Sequence, residues 1–229
     1  IHEGLVQSWK DIFPKKGEIH FAGALENNED TGTLQYLAST AMEAGFSTRV
    51  LDMQALDLQN GRFFDPAGEL VNRCFKLYPW EWMVDESPDG CLAEMEWLEP
   101  IWKLVMSNKA ILATLYELFP DSPYVLPCYL SRPRSGLFCK KPVFSREGHN
   151  VSVVDIRNWE EHVRIAETEG DYNTGAYVYQ EYVEPTVYSG RYPVIGSWII
   201  GGEAAGIGIR ENRMEVTDNL SEFVPHIIG

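Results

Sequence analysis

The chain contains 229 residues, 45% of them hydrophobic and 23% charged, and it carries a formal net charge of −15. This composition is typical of a folded protein, and the length allows one large domain or two small ones. An acidic chain is a poor partner for a nucleic-acid backbone, because that binding depends on Lys and Arg side chains that release counterions. No apolar run approaches the roughly 18 residues of a membrane-spanning helix. The sequence therefore argues against nucleic acid and membrane as partners.

The cysteines of the chain are widely spaced. No two of them are separated by only two residues, so the pattern contains neither a zinc ribbon nor a thioredoxin-type redox pair. A disulfide framework is uncommon in a chain of this length. We therefore expect a cytoplasmic protein with reduced thiols at Cys74, Cys91, Cys128 and Cys139.

The first half of the chain alternates between strand and helix patterns. Apolar residues at helical spacing predict a helix in residues 1–16, and a short apolar run predicts a buried strand at 19–22. Asp30 or Thr31 is expected to cap a second helix, which precedes another strand at 48–51. A strand, a helix and a strand in about 35 residues form a βαβ unit, which normally belongs to a parallel sheet.

Turn residues organise the next part of the chain. Two turn signals predict a hairpin in residues 57–70, followed by a strand at 71–78 and an exposed turn at 87–90. The pattern is interrupted near residue 105 by Pro and Ser-Asn. We therefore expect one region at 1–105 and a second at 106–229.

The second region is predicted to consist mainly of antiparallel strands with flanking helices. An apolar stripe predicts a helix at 109–119, and a weaker pattern predicts another at 159–168. Gly201-Gly202 is typical of a two-residue hairpin turn. The fold class is therefore α/β (α+β), with a parallel region followed by a mainly antiparallel sheet. Strands are predicted at 136–143, 151–155, 176–183, 193–200 and 203–210.

Lys141 lies on a predicted strand that runs into a turn of small and polar residues at 145–150. An ammonium group and the backbone N–H groups of a glycine-containing turn can face one concavity and hold phosphate without a Walker loop. The alternative, which the spacing alone favours, is an ordinary hairpin whose turn contains a glycine.

Two further cations occur in the same region. Lys109 opens a predicted helix, where the macrodipole disfavours a cation unless an anion lies nearby. Arg210 follows glycines at the end of a strand, where a ligand has room and a guanidinium can hold a phosphate or a carboxylate. A solvated surface Lys and a solvated edge-strand Arg are the alternatives. The three cations together suggest an anionic ligand more strongly than any one of them.

Two other segments are candidate ligand walls. Residues 179–183 combine backbone amides and a carboxylate with apolar side chains, which suits an adenine ring, although alone they are a strand with alternating faces. Trp80 and Glu81 form part of a dense aromatic cluster. Tryptophan is more often a core or interface residue, so a structural role is the alternative there.

Five segments carry a more specific pattern: FKLYPWEW at 75–82, SNKAIL at 107–112, KPVFSREGHN at 141–150, GIRE at 208–211 and FVPH at 223–226. In this order they resemble the glutathionylspermidine synthase family, whose members are ATP-grasp ligases that form amides. The similarity extends from about residue 1 to the C-terminus and is greatest to single-domain bacterial members. Several motifs that agree in order are far more specific than any one motif.

The resemblance implies an ATP-grasp architecture preceded by a Rossmann-like pre-ATP-grasp region, and an enzyme that uses ATP and Mg²⁺ and forms an acyl-phosphate intermediate. It implies that Lys109 and Lys141 hold the nucleotide phosphates and that Arg210 is the catalytic residue beside the transferred phosphoryl group. It also implies a loop over the phosphates with Ser145, Arg146, Gly148 and Asn150, an adenine pocket lined by Gln180, Glu181, Tyr182 and Val183, and substrate contacts from Glu29, Asp30, Trp80 and Glu81.

The family also carries an Arg in a segment upstream of the helix that opens this chain. This Arg is followed by an Asp and a Glu-x-Asn pair, which bind magnesium. The Glu-Asn pairs at 26–27 and 211–212 are adjacent rather than spaced by one residue, so neither replaces that motif. We therefore expect no metal ligands in this chain, and we interpret it as the C-terminal part of a longer ligase with both regions incomplete.

The implied substrates are a small-molecule carboxylate, with glutathione or another peptide as the candidate, and an amine, with a polyamine as the candidate. A net charge of −15 would concentrate a cationic amine near the surface, although the same charge also serves solubility. The alternative hypothesis is a catalytically incomplete nucleotide-binding or interaction module.

Overall fold

The computed structural model describes residues 1–172, 175–218 and 221–227. Within these ranges no helix is both long and apolar enough to cross a membrane. The same residues also contain no group of three or more His, Cys, Asp or Glu side chains that could hold a metal ion. All four cysteines lie in the described part of the chain and carry free thiols.

The chain divides into two compact units. The first comprises residues 1–104 and the hairpin tip 198–206, and the second comprises residues 105–197 and 207–229. The first unit contains helices α1 (His2–Ile12), α2 (Asn28–Glu43), α3 (Trp80–Glu86) and α4 (Pro88–Cys91), with strands β1 (Glu18–Gly23), β2 (Ser47–Asp52), β3 (Asp57–Gln59), β4 (Arg62–Phe64), β5 (Leu70–Val71), β6 (Arg73–Leu77) and β7 (Glu96–Leu98).

A four-stranded parallel sheet forms the centre of the first unit. Its strand order is β2-β1-β6-β7, and α2 makes the crossover from β1 to β2, so the predicted βαβ unit is confirmed. Strand β1 is almost entirely buried, as expected for a parallel strand that is covered on both faces. On one face Ile19 and Phe21 pack with Trp9 of α1 and Leu34 of α2. On the other face Ala22 belongs to a second apolar cluster.

The start of α2 differs from the prediction. Asn27, not Asp30 or Thr31, is the N-cap residue: its side-chain oxygen accepts the backbone N–H groups of Glu29 and Asp30 at 2.9 and 3.4 Å. Asn is among the strongest capping residues because its short side chain reaches these unpaired donors. The helix therefore begins three residues earlier than an Asp30 cap would place it.

Two other segments of the first unit also differ in detail. The predicted strand at 71–78 is two strands, β5 and β6, which belong to different sheets. The predicted exposed turn at 87–90 is the start of α4, and Gly90 within it is buried. A Cβ atom at Gly90 would lie 2.9 Å from the ring of Phe63, so close packing on β4 explains the burial. The predicted hairpin around residues 57–64 is confirmed.

The second unit is built on a five-stranded antiparallel sheet with the order β11-β10-β9-β12-β8. A separate three-stranded sheet, β13-β14-β15, follows it in the chain. The elements are α5 (Leu104–Ser107), which begins at the unit boundary, α6 (Ala110–Leu118), β8 (Cys128–Tyr129), β9 (Gly136–Pro142), β10 (Ser152–Arg157), β11 (Glu160–Ile165), β12 (Tyr177–Glu181), β13 (Tyr192–Ile200), β14 (Glu203–Asn212) and β15 (Glu222–Val224).

The helix predicted at 159–168 is wrong, because most of this segment is strand β11. Asn158 and Trp159 both have positive φ angles, 51° and 71°, and form a two-residue turn that leads β11 back along β10. Such turns match the twist of the flanking strands. Asn158 is a typical residue of such turns, but Trp159 stands where Gly is usual, so the turn lacks the Asn-Gly signal.

A cluster of ionisable side chains that includes the buried residues His20 and Asp65 lies on the second face of the parallel sheet. The ring of His20 is almost fully buried, and its Nε2 atom lies 3.8 Å from carboxylate oxygens of both Glu18 and Asp65. Arg49, opposite His20 on β2, donates to both carboxylates. Burial lowers the pKa of His20 below 6.5 and outweighs the two carboxylates, which raise it. The imidazole is therefore neutral in the folded protein at pH values where an exposed His is already protonated.

The free energy of unfolding should decrease as the pH falls below about 6.5, because the unfolded chain binds a proton at His20 that the folded chain resists. The decrease should stop once the pH reaches the lowered pKa of the folded state. Urea unfolding between about pH 5 and about pH 8 measures this slope. His20→Gln should flatten it, whereas His226→Gln, at an exposed position, should not. A wild-type slope in His20→Gln would contradict the assignment.

Candidate functional site

Two adjacent lysines on β9 leave opposite faces of the five-stranded sheet, because successive side chains on a strand alternate. Lys140 pairs with Glu161, with 2.8 Å between Nζ and the carboxylate. Lys141 donates from Nζ to the amide Oε1 of Gln180 on β12 at 2.7 Å. Since an amide oxygen is neutral, it orients the Lys141 ammonium without cancelling its charge. Lys141 is therefore a cation suited to an anionic ligand.

Lys109 is fixed beside the end of β9 by both its backbone and its side chain. Its backbone N–H donates to the carbonyl of Val143 at 2.8 Å, and its Nζ donates to the carbonyl and the hydroxyl of Ser145. The side-chain oxygen of Asn108 accepts the backbone N–H of Ala110, the first residue of α6, at 2.8 Å. The structure thus ties Lys109 to residues that come two and four positions after Lys141.

Residues 145–150, named here the glycine loop, follow β9 and lead into β10. Glu147, Gly148 and Asn150 all have positive φ angles, of 53°, 74° and 53°. A Cβ atom at Gly148 would lie 2.1 Å from the backbone oxygen of Thr217, so a side chain cannot fit there. The loop is therefore held in a shape that requires glycine at this position.

The predicted loop residues Arg146 and Asn150 contribute to the shape of the loop. The backbone carbonyl of Arg146 accepts the N–H of His149 at 2.8 Å. Asn150 is buried, donates from Nδ2 to Glu167 at 3.0 Å, and accepts the backbone N–H of Tyr172 at 2.9 Å. Because both ends of its amide are engaged within the protein, Asn150 supports the loop rather than presenting a free group to a ligand.

The predicted adenine segment, Gln180 to Val183, continues from β12. The backbone N–H groups of Glu181 and Tyr182 donate to Pro127 at 2.7 Å and to Leu137 at 3.0 Å, whereas Val183 is exposed. These two amides are therefore used within the protein, and a contact of the segment with adenine stays a prediction.

The phenol of Tyr182 donates to the carboxylate of Glu215. Burial, together with this bond and the nearby negative charge, raises the pKa of Tyr182 to about 12. The phenol thus stays protonated at neutral pH and remains a hydrogen-bond donor. Sequence reasoning missed this pair because the two residues lie 33 positions apart.

A cavity of about 750 Å³ lies beside the glycine loop, a size typical of small-molecule sites. The three predicted cations are not among the described residues that line it. The cavity borders Glu215, so the bond from Tyr182 connects its wall to the predicted adenine segment. The lining residues are Glu147, Gly148, His149, residues 165–169, Tyr192, residues 213–216 and Asp218.

Arg210 lies on β14 of the three-stranded sheet, opposite Phe223 of β15. Its guanidinium carbon lies 5.8 Å from the centre of the Phe223 ring. The structure thus places Arg210 on a different sheet from Lys141, within the same unit. The convergence of Arg210 with Lys109 and Lys141 on one ligand stays a prediction.

The predicted substrate residues follow the carboxyl ends of two neighbouring strands of the parallel sheet in the first unit; this end of the sheet is called its edge below. Neighbouring strands β1 and β6 end at Gly23 and Leu77, which are register partners. Glu29 and Asp30 lie in the first turn of α2, which follows β1, and Glu81 lies in the first turn of α3, which follows β6. The strand order reverses between β1 and β6, and such switch points are where open α/β sheets usually bind ligands.

Trp80 has a packing role at this edge. It is 5% exposed, its indole N–H donates to the carbonyl of Glu99 at 3.1 Å, and the ammonium of Lys76 lies 3.8 Å from its ring centre. Trp97 contacts the ring edge-on at 5.7 Å between centroids. These neighbours surround the indole ring, which supports a structural role for Trp80 in packing.

Comparison with known proteins places this arrangement in a family. The family model described as "Glutathionylspermidine synthase preATP-grasp" matches residues 1–229. The chain belongs to the glutathionylspermidine synthase family. The resemblance of its ordered motifs is thereby confirmed.

Two curated relatives illustrate the similarity to the family. A Haemophilus influenzae protein named "Putative acid--amine ligase" is 34% identical over 238 residues, which cover 99% of this chain and 61% of the relative. The trypanothione synthetase of Crithidia fasciculata is 28% identical over 236 residues, which cover 90% of this chain and 35% of that enzyme. The chain therefore spans about three fifths or less of the length of these relatives.

A solved structure shares the fold. The crystal structure of the D-cycloserine synthetase DcsG matches 92% of this chain and 76% of its own, with a TM-score of 0.54 and 14% sequence identity. At this identity the likeness concerns the fold alone. The predicted mixed α/β, ATP-grasp-like fold is confirmed.

The contact between Gly148 and Thr217 can be tested against a glycine with the same backbone angle. Gly190 has a φ of +75°, close to the +74° of Gly148, but a Cβ atom there would meet nothing within 4 Å. Gly190→Ala should lower the free energy of unfolding by about 1–2 kcal/mol through its backbone angle alone. Gly148→Ala should cost about 1–3 kcal/mol more, because the methyl group must displace the backbone of Thr217. Equal losses in urea unfolding would show that the contact is unimportant.

Proposed function

We propose that this chain provides the nucleotide-binding part of an ATP-dependent ligase that joins a carboxylate to an amine through an acyl phosphate. The observation that carries the proposal is the hydrogen bonding of Lys109 to Ser145, which holds the Lys109 ammonium at the start of the glycine loop. Ser145 lies only four residues after Lys141, whose ammonium is the second cation of the proposed site. Family membership and the acid–amine ligase named among the relatives support it.

The proposed nucleotide position follows from the elements around the loop. The triphosphate would lie between the two lysines and the glycine loop, where charge-assisted hydrogen bonds each contribute about 1.5–3 kcal/mol. The base would lie toward Tyr182 and Glu215, which borders the cavity of about 750 Å³. Arg210 would contact the transferred phosphoryl group and stabilise its charge in the transition state.

In the proposed reaction, an oxygen of the substrate carboxylate attacks the γ-phosphorus of ATP, and the bond to the β,γ-bridging oxygen breaks to release ADP. The amine nitrogen of the second substrate then attacks the acyl carbon and loses a proton, and phosphate leaves. The protein would act by positioning and by neutralising charge, as is usual in phosphoryl transfer.

The acid and the amine are proposed to bind at the edge of the parallel sheet, near Glu29, Asp30 and Glu81. Carboxylates there would attract a cationic amine, and a polyamine with a glutathione-like acid matches the name of the family. Mg²⁺ belongs to the proposal because it would neutralise charge on the nucleotide phosphates, but the described residues contain no group of three or more His, Cys, Asp or Glu side chains that could hold a metal ion, so no step is assigned to it. The free thiols of the chain suit a reducing, cytoplasmic compartment.

The adjacent lysines of β9 provide a matched test of ATP binding. Lys141→Met should raise the dissociation constant of ATP about 10-fold to 100-fold, because it removes a charge-assisted bond to phosphate. Lys140→Met removes the same charge from the opposite face and should change it by no more than about threefold, because Lys140 is already paired with Glu161 on the far side of the sheet. Isothermal titration calorimetry measures both constants. Equal effects of the two variants would contradict the proposed phosphate site.

Arg210 is proposed to act in the phosphoryl-transfer step rather than in nucleotide binding. Arg210→Ala should therefore lower the rate of ADP formation by about 100-fold or more while the dissociation constant of ATP changes by less than about fivefold. Steady-state kinetics and titration of the same preparation separate the two quantities. Wild-type turnover would remove Arg210 from the mechanism.

A further inference from the structure

A short segment after β11, distant in sequence from the glycine loop, is hydrogen-bonded to the loop. Residues 167–172, named here the clasp, contact the loop and the residue that follows it through hydrogen bonds and close packing. Asn150 donates to Glu167 and accepts the N–H of Tyr172, so the two ends of the clasp meet at one buried amide. A Cβ atom on Gly170 would lie 2.4 Å from the Cβ of His149, which shows how closely the two segments approach.

Thr168 makes the central contact of the clasp. Its hydroxyl accepts the backbone N–H of Val151 at 2.9 Å and donates to the backbone carbonyl of Gly148. Its own backbone N–H donates to the carbonyl of Val151 at 3.0 Å. One side chain therefore bonds the loop at its glycine and at the residue where the chain leaves it for β10.

The glycine loop needs such external support because of its backbone angles. Three of its residues have positive φ angles, and two of these, Glu147 and Asn150, are not glycines. Such angles are disfavoured for residues that carry a side chain and persist where surrounding contacts hold them. Thr168 supplies such a contact at Gly148, and Glu167 and Tyr172 supply them at Asn150.

We propose that Thr168 is a positioning residue of the nucleotide site, whose hydroxyl sets the glycine loop in the conformation that receives the β- and γ-phosphates. This inference rests on the proposed function and assigns a role to a residue that does not itself contact the nucleotide. A nucleotide that lacks these phosphates should be insensitive to Thr168, because it has no group for the loop to contact.

The dependence on phosphate number separates this role from a purely structural one. Loss of general stability would weaken every nucleotide alike, whereas a displaced loop would weaken ATP and spare AMP. Thr168→Val keeps the shape of the side chain and removes both hydroxyl bonds. Thr168→Ser keeps the hydroxyl and removes a methyl group, so it should restore binding.

The test is titration calorimetry of ATP and AMP with the full chain. In Thr168→Val the dissociation constant of ATP should rise about 10-fold or more, in keeping with the loss of two hydrogen bonds, while that of AMP stays within about twofold. Thr168→Ser should lie within about threefold of wild type for both ligands. Equal losses for ATP and AMP, or unchanged ATP binding in Thr168→Val, would overturn the role.

Two controls make the outcome decisive. Lys141→Met is titrated in parallel: if it weakens ATP and Thr168→Val does not, the clasp inference fails and the phosphate site stands; if it leaves ATP binding unchanged, the phosphate site itself fails. Amide hydrogen exchange of the wild-type protein needs no variant. The N–H of Val151 should be protected before nucleotide is added, and rapid exchange there would overturn the inference even if Thr168→Val does not fold.

Discussion

The position of strand β9 between β10 and β12 is the constraint on which the candidate site depends. Antiparallel pairing on both sides fixes its register, and the alternation of side chains then sends Lys141 to one face and Lys140 to the other. A slip of one residue would exchange the two lysines. Lys140 would then face the ligand, and Lys141 would take its place beside Glu161.

The lysines on the two faces of the sheet therefore have partners of different charge. Lys140 forms an ion pair, whereas Lys141 is oriented by the neutral amide of Gln180. In a chain with a net charge of −15, a phosphate site requires cations whose charge is not consumed locally. Neutral acceptors achieve this, because they fix the direction of an ammonium group and leave its charge available to the ligand.

The glycine loop adds a second requirement, which concerns shape. Its positive φ angles carry a conformational cost that local sequence cannot offset; the compensating hydrogen bonds come from the clasp, and the backbone of Thr217 leaves room only for glycine at position 148. Both lie well after the loop in the chain. The site thus combines a cation that is set by strand register with a loop that is set by distant hydrogen bonds.

Much of the fold could be predicted from the sequence, because β1 is a short apolar run, α6 has a clear apolar stripe, and the ordered motifs identify the family. The β10–β11 hairpin could not, because its turn at Asn158-Trp159 has Trp where Gly is usual, and the helix predicted in its place concealed the clasp. The pairing of Tyr182 with Glu215 was also beyond sequence reasoning. Local patterns show which residues could bond but not which distant partners the fold brings to them.

We propose that Lys109, Lys141 and Arg210 converge on one triphosphate. The most direct measurement is a crystal structure of the chain with a non-hydrolysable ATP analogue. The account predicts side-chain nitrogens of all three residues within about 4 Å of phosphate oxygens, with Lys140 still paired to Glu161. A triphosphate bound away from the glycine loop, or one that contacts only one of the three cations, would contradict it.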